Sequence, residues 1–289
     1  MASTLNKIDD VDGVQLFYRE AGNPSAPHIV LLHGFPSSSH QYRHLIPILA
    51  QKYHVIAPDL PGYGVTVLPK NYKYTFENFA KVVGGLLDKL QIKELALYVF
   101  DYGAPTGFRL AVSRPDLKIR AFITQNGNAY EEGLGDFWAP IRKYWADGTA
   151  ESRIALKSLL VLEATRWQYE EGVSKDRIPL IGPEAYYLDQ AFMDRPGNKD
   201  IQLDLFYDYR TNLPLYADFQ KYFRSTKVPL LATWGKNDQI FIPPGAEAYK
   251  RDLPNAIVKF YDTGHFALET HLAEISKEIL SFLEGVYGR

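Results

Sequence analysis

Short apolar runs alternate with amphipathic ones along this chain. The runs at 28–34 (HIVLLHG), 53–62 (YHVIAPDLPG), 94–103 (ELALYVFDYG), 118–127 (KIRAFITQNG), 228–238 (VPLLATWGKND) and 256–265 (AIVKFYDTGH) are apolar through their middles, and most close on Gly, Pro or Asp. Continuous apolar runs of this length, rich in Val, Ile, Leu, Phe and Tyr, predict buried strands. VQLFYREAG and the IDDVDG before it predict an antiparallel pair at the sheet edge. Between the strands the period changes. From Thr75, apolar residues fall at Phe76, Phe79, Val82, Val83, Leu86, Leu87 and Leu90, one face of a helix with Thr75 as its N-cap. Gly84 and Gly85 each cost that helix roughly 1 kcal/mol relative to Ala, so close packing is expected there. LAEISKEILSFLEGV (272–286) predicts a final amphipathic helix. Alternation of this kind predicts an α/β fold, a mostly parallel sheet flanked by helices.

The alternation lapses between 128 and 225. That stretch holds no convincing buried strand and has helix-like pieces instead: DFWAPIRKYWAD, RIALKSLLVLEATRWQYEEG, PEAYYLDQAFM and IQLDLFYDYRTN. The expectation is an α/β core from 1–127 and 226–289, interrupted by an all-helical cap over 128–225.

Active sites of open parallel sheets gather outside the carboxyl ends of the strands, so the residues at those ends carry the chemical question. Asp101 stands in YVFDYGAP, where a strand turns sharply into a helix. Gly103 gives the small neighbour such a turn needs, Pro105 suits the first helical turn, and a helix N-terminus favours an ionised carboxylate. Val99 is larger than the Gly or Ala usual two residues earlier. His265, in DTGHFALE, follows the last strand and is a side chain suited to proton transfer near neutral pH. Asp238, in WGKND, ends the preceding strand and can orient an imidazole. HGFPSSS (33–39) closes an early strand, where the Phe35 amide paired with that of Tyr102 makes a two-donor oxyanion hole. Each taken singly has a plain structural reading as a cap, a loop histidine or a turn. Four strand ends, in the order Asp, Asp, His with a donor loop upstream, form a catalytic constellation.

Composition narrows the partners. A net charge of −2 gives no basic footprint for nucleic acid, and the absence of Cys removes disulfides, thiol chemistry and Cys-based zinc sites. No apolar run approaches the ~20 residues of a membrane span, and MASTLNKIDD lacks the apolar core of a signal peptide. A soluble, cytoplasmic monomer or homodimer acting on a small molecule is expected. His40 and His44 have metal-like spacing without an evident third ligand, and no phosphate-binding glycine loop is present, so neither metal nor cofactor is expected.

Over essentially its whole length, from HGFPSSS through DLPGYG and VFDYG to WGKND and TGHFALE, the chain resembles the α/β-hydrolases, in the Asp-nucleophile branch of the epoxide hydrolases and haloalkane dehalogenases. The resemblance implies that Asp101 attacks an sp³ carbon to form an alkyl-enzyme ester and that His265, held by Asp238, activates the water that hydrolyses it. Haloalkane dehalogenases usually carry Trp after the nucleophile and many have Asn in the donor loop, where this chain has Tyr102 and Phe35. Fluoroacetate dehalogenases carry arginines just after the Asp, where this chain has Tyr102 and Pro105; Arg109, two turns on, reads as a surface residue. Epoxide hydrolases supply cap tyrosines as acids. FYDYRTN resembles that family's stretch near the end of the cap and marks Tyr209. Tyr144 in RKYWAD is the candidate second acid, with Trp138, Tyr130 and Tyr169 as competing cap residues able to line the substrate site, and QNGNAYEEG (125–133) lies by position at the cleft. The expected activity is conversion of an epoxide to a vicinal diol. The alternatives are dehalogenation on the same fold and a catalytically silent binding protein.

Overall fold

The computed structural model describes residues 3–288. Among them, β1 (Leu5–Val11) and β2 (Val14–Ala21) form the expected antiparallel hairpin. The six apolar runs become β3 (His28–Leu32), β4 (His54–Pro58), β5 (Glu94–Phe100), β6 (Lys118–Gln125), β7 (Leu230–Gly235) and β8 (Ile257–Tyr261). They join one sheet in the order β1-β2-β4-β3-β5-β6-β7-β8, antiparallel as far as the β2–β4 pair and parallel beyond it. β3 has β4 on one side and β5 on the other, so the strand order reverses there and opens a crevice at the carboxyl ends. Every predicted run outlasts its strand at that end. Gly34, Asp101, Asn126, Asp238 and His265 have left the ladder for the loops above it.

Around the sheet run α1 (Leu45–Leu49), α2 (Phe76–Lys89) and α3 (Gly103–Ser113), then after the insertion α10 (Pro244–Asp252) and α11 (Ala267–Tyr287). The insertion between β6 and β7 holds α4 (Ala139–Asp147), α5 (Ala150–Ala155), α6 (Leu162–Glu170), α7 (Pro183–Met193), α8 (Asn198–Asp208) and α9 (Tyr216–Thr226), and no strand among its described residues. α2 starts where expected, with the Thr75 hydroxyl accepting from the Asn78 amide. Gly85 is a point of close approach, since a Cβ there would crowd Val11 of β1. α11 starts earlier than expected and bends at His271, so the predicted 272–286 helix is its second part.

Four expectations are corrected. β8 is not buried: Ile257, Lys259 and Phe260 are exposed, because it is an edge strand and α11 packs chiefly on β6 and β7. The apolar stretch 153–172 is not one helix. A 3₁₀ segment (Leu156–Leu160) divides α5 from α6, burying Leu156 and Leu160 before Val161 turns extended. α8 stops at Asp208, and 3₁₀ turns over Tyr209–Leu215 lead into α9, which the sequence did not mark. Arg109 is no free surface side chain. It reaches from α3 to Asn212 Oδ1 and Thr211 Oγ1, both at 2.8 Å, and ties those turns to the core. All of α9 but Thr226 falls in the 128–225 segment, yet it packs on the core, with Phe219 and Phe223 against Phe108 at ring distances of 5.6 and 5.3 Å. No helix among the described residues is long and apolar enough to cross a membrane.

The cap of α2 generates a stability prediction. Thr75→Ala should cost about 1 kcal/mol, the usual worth of one N-cap bond, seen as a lower urea midpoint at unchanged slope. Thr75→Ser should restore most of it.

Candidate active site

β5 ends at Phe100, and the next residue, Asp101, takes φ +47 before α3 begins at Gly103. A left-handed aspartate is strained relative to ordinary backbone, and the turn holds it because its surroundings leave room on one side only. A Cβ at Gly103 would collide with the Leu32 carbonyl, and one at Gly34 would collide with the Asp101 carboxylate itself. The bulk of Val99 is accommodated because Gly107, facing it from α3, has no side chain.

Asp101 is 4% exposed. Burial pushes its pKa up to about 6, against the opposing pull of His265 and of the Phe35 and Tyr102 amides. The Phe35 N–H donates to Oδ1 at 2.6 Å. The two amides named as an oxyanion hole therefore both bear on the carboxylate, and the donor loop is held in turn by His33, whose Nε2 accepts from Leu60 N–H at 2.9 Å.

His265 Nδ1 lies 2.9 Å from Asp238 Oδ2, and its Nε2 lies 4.0 Å from Asp101 Oδ2. Asp238 accepts from Ile240 N–H at Oδ1 (2.8 Å) and from Asn126 Nδ2 at Oδ2 (2.6 Å). With the carboxylate so fixed, the Nδ1 proton stays on the Asp238 side and Nε2 is left as the basic nitrogen. That buried Nε2 has no hydrogen-bond partner among the described residues. Burial pulls the His265 pKa down, but the charge and hydrogen bond of Asp238, with the charge of Asp101, outweigh it and leave it raised. Asn126 is a residue the sequence reading placed only by position, within QNGNAYEEG. Its side chain joins β7 to Asp238 by accepting from Gly235 N–H at 3.1 Å.

Above Asp101 the insertion brings Tyr209, fully buried, among Trp138, Trp145, Phe76 and Tyr102 at ring distances of 4.6, 5.9, 5.4 and 5.7 Å. Its hydroxyl lies 3.4 Å from that of Tyr216, a residue that the sequence reading missed. Trp138 joins this group and gives its indole N–H to the Ile240 carbonyl. The other candidates sit elsewhere. The Tyr144 hydroxyl accepts from Arg153 at 3.2 Å, and its ring packs on Tyr207. Tyr130 donates to Asp252 and packs on Tyr249, beside α10. Tyr169 donates to Asp189 at 2.6 Å and stacks on Phe266 at 3.9 Å, so it backs the His265 loop with its phenol already engaged. A cavity of about 830 Å³ lies away from this constellation, between Val228, Leu253 and Phe282. Beside Asp238 and His265 lies a small recess lined by Trp167, Gln168 and Ile240. An aromatic lid over a buried carboxylate, a fixed base and a phenol can perform nucleophilic displacement followed by hydrolysis, with bulk water kept out.

Comparison with known proteins gives a consistent picture. The sequence pattern of the alpha/beta hydrolase fold matches residues 27–272. The chain is 51% identical over 282 residues to an uncharacterized hydrolase of Saccharomyces cerevisiae, covering 96% of each chain. A shorter stretch of 113 residues is 37% identical to a haloalkane dehalogenase of Psychrobacter cryohalolentis, 38% of this chain and 37% of that one. A point mutant of an epoxide hydrolase from Solanum tuberosum shares the fold, with a TM-score of 0.75 at 21% identity over 98% of this chain and 100% of that one.

The electrostatics predict an ordering. Asp238→Asn should lower the His265 pKa, and Asp101→Asn should lower it less, because Asp238 supplies both charge and a hydrogen bond. Imidazole ¹⁵N shifts followed against pH would check this; an equal or reversed order would contradict it.

Proposed function

The chain belongs to the alpha/beta hydrolase fold family, and we propose that this hydrolase opens epoxides to vicinal diols through an ester of Asp101. The observation that carries the reading is the pairing at the elbow. A buried carboxylate stands there in place of a hydroxyl, with the free Nε2 of His265 4.0 Å from it. A serine in this position would serve acyl transfer, whereas a carboxylate displaces a leaving group from sp³ carbon.

The hydrogen bonds divide the labour between the two carboxylate oxygens. Oδ1, bound by the Phe35 amide, is the future ester carbonyl. Oδ2, facing His265, attacks the epoxide carbon; the C–O bond breaks, and its electron pair goes to the ring oxygen. Tyr209 supplies the proton that the departing alkoxide needs. Water, deprotonated at His265 Nε2, then attacks the Asp101 carbonyl carbon. The Phe35 and Tyr102 amides stabilise the resulting oxyanion. Collapse returns the His265 proton to the diol oxygen released from the ester. Two features favour an epoxide over a halide. An epoxide oxygen can take a proton from the Tyr209 phenol, and the indole N–H groups of Trp138, Trp145 and Trp234 are given to the carbonyls of Ile240, Phe206 and Phe241, so those three are not free to bind halide.

Diol formation and halide release should be measured side by side on small epoxides and halides. Wild type should form diol, and Asp101→Asn should form none; halide release without diol would replace the epoxide reading by dehalogenation. His265→Gln should accumulate enzyme heavier by one substrate, with turnover down roughly 10²- to 10⁴-fold, the usual worth of a general base. The alkylation rate should fall as pH drops through about 6, since protonation of Asp101 removes the nucleophile. Flat alkylation across that range would show that Asp101 is not the attacking group.

A further inference from the structure

Tyr209 is an awkward acid. It is wholly buried, and burial drives its pKa well above the usual phenol value. The phenolate left after proton donation therefore needs a donor of its own, and its surroundings are mostly aromatic carbon. One polar group reaches it: the Tyr216 hydroxyl at 3.4 Å.

Tyr216 is held from two directions. It is the first residue of α9, which is anchored on the core through Phe219 and Phe223 and through Gln220 Nε2 donating to the Ala129 carbonyl at 3.0 Å. Its oxygen also accepts from Asn128 Nδ2 at 3.3 Å. The orientation of that amide is settled by its own backbone contacts, because Oδ1 accepts from Tyr130 N–H at 3.3 Å and Nδ2 donates to the Tyr130 carbonyl at 2.6 Å. Asn128 thus presents a hydrogen to Tyr216. Among the described residues, the only other hydrogen-bond partner of the Tyr216 hydroxyl is the Tyr209 oxygen.

We propose that Tyr216 is a positioning residue for ring opening, whose hydroxyl donates to the Tyr209 oxygen as that oxygen becomes a phenolate, with Asn128 behind it. The proposal rests on the epoxide reading above. At rest either hydroxyl of the pair can donate. As Asp101 Oδ2 bonds to carbon and the ring oxygen takes the Tyr209 proton, the Tyr216 proton turns toward the new negative charge and the Asn128 N–H strengthens the chain from behind. This bond gains its strength only while the charge exists, so it acts on the transition state and not on substrate binding. Tyr209 is reprotonated by the second proton of the hydrolytic water, which ester hydrolysis leaves on the Asp101 carboxyl, so that both Asp101 and Tyr209 return to their starting states. The hydroxyl that supports the cap acid is therefore supplied from the core-packed helix that follows it, 7 residues along the chain, and Tyr144 has no part in it.

The test separates the two half-reactions of Tyr216→Phe in single turnover, with alkyl-enzyme followed by acid quench and mass. Alkylation should slow roughly 10- to 100-fold, as for loss of one hydrogen bond to a charged oxygen, and more for epoxides with more basic alkoxides. Ester hydrolysis and substrate dissociation should stay as in wild type. Unchanged alkylation, or equal slowing of both steps, would overturn the proposal. A second readout needs no turnover: a hydroxyl that donates to the phenolate lowers the Tyr209 pKa, so with Tyr209→3-fluorotyrosine the ¹⁹F titration of position 209 should move to higher pH when Tyr216→Phe is added, and a titration that is unmoved or moves to lower pH would also overturn it. Wild type that forms no alkyl-enzyme from any epoxide would bring down the epoxide reading, while the fluorine titration would still decide the Tyr216 contact.

Discussion

The structure is organised around one expensive act, the burial of an ionisable carboxylate at a strained turn. Removing a carboxylate from water costs several kcal/mol unless hydrogen bonds and opposite charge offset it. At Asp101 the offsets come from separate parts of the chain: the donor loop after β3, the amide of Tyr102 at the head of α3, and His265 after β8. They do not cancel the cost, and the pKa stays raised. That residual instability of the charge suits the proposed reaction, because a poorly solvated carboxylate is a better nucleophile than one in water. Gly34 and Gly103 are required by the same arrangement, since side chains there would occupy the space of the carboxylate or of the Leu32 carbonyl.

Around this centre each polar group is fixed by another. Asp238 accepts from Ile240, Asn126 and His265, so it has little freedom to rotate, and the imidazole takes its tautomer from that constraint. Gln125 Nε2 adds a bond to the His265 carbonyl at 3.3 Å, which ties the loop after β8 to β6. The aromatic cluster of Phe76, Trp138, Trp145 and Phe241 encloses Tyr209 and lowers the local dielectric. Satisfied polar networks gain strength under such a lid, and unpaired atoms become costly. The unpartnered Nε2 of His265 is where that cost remains, at the atom that the proposed reaction would use as its base.

The sequence by itself determined which segments are strands and the order of the residues that follow their carboxyl ends. Strand periodicity and strand-end chemistry are local properties, which is why Asp101, His265, Asp238 and the Phe35 loop could be named from quoted motifs, and why Thr75 was legible as a cap. Tertiary structure alone decided which groups the phenols bond. Tyr130, Tyr144, Tyr169, Tyr209 and Tyr216 look alike in a one-dimensional reading, and each was assigned by the partner that its hydroxyl reaches: Asp252, Arg153, Asp189, and for the last two each other. The same holds for Asn126, whose partners on β7 and at Asp238 lie more than 100 residues away, and for Arg109, which binds the turns after Tyr209 instead of facing water. A side chain's type limits the bonds it can form. Which bond it forms depends on distances between segments remote in the chain, and those distances exist only once the sheet and its helical insertion have packed.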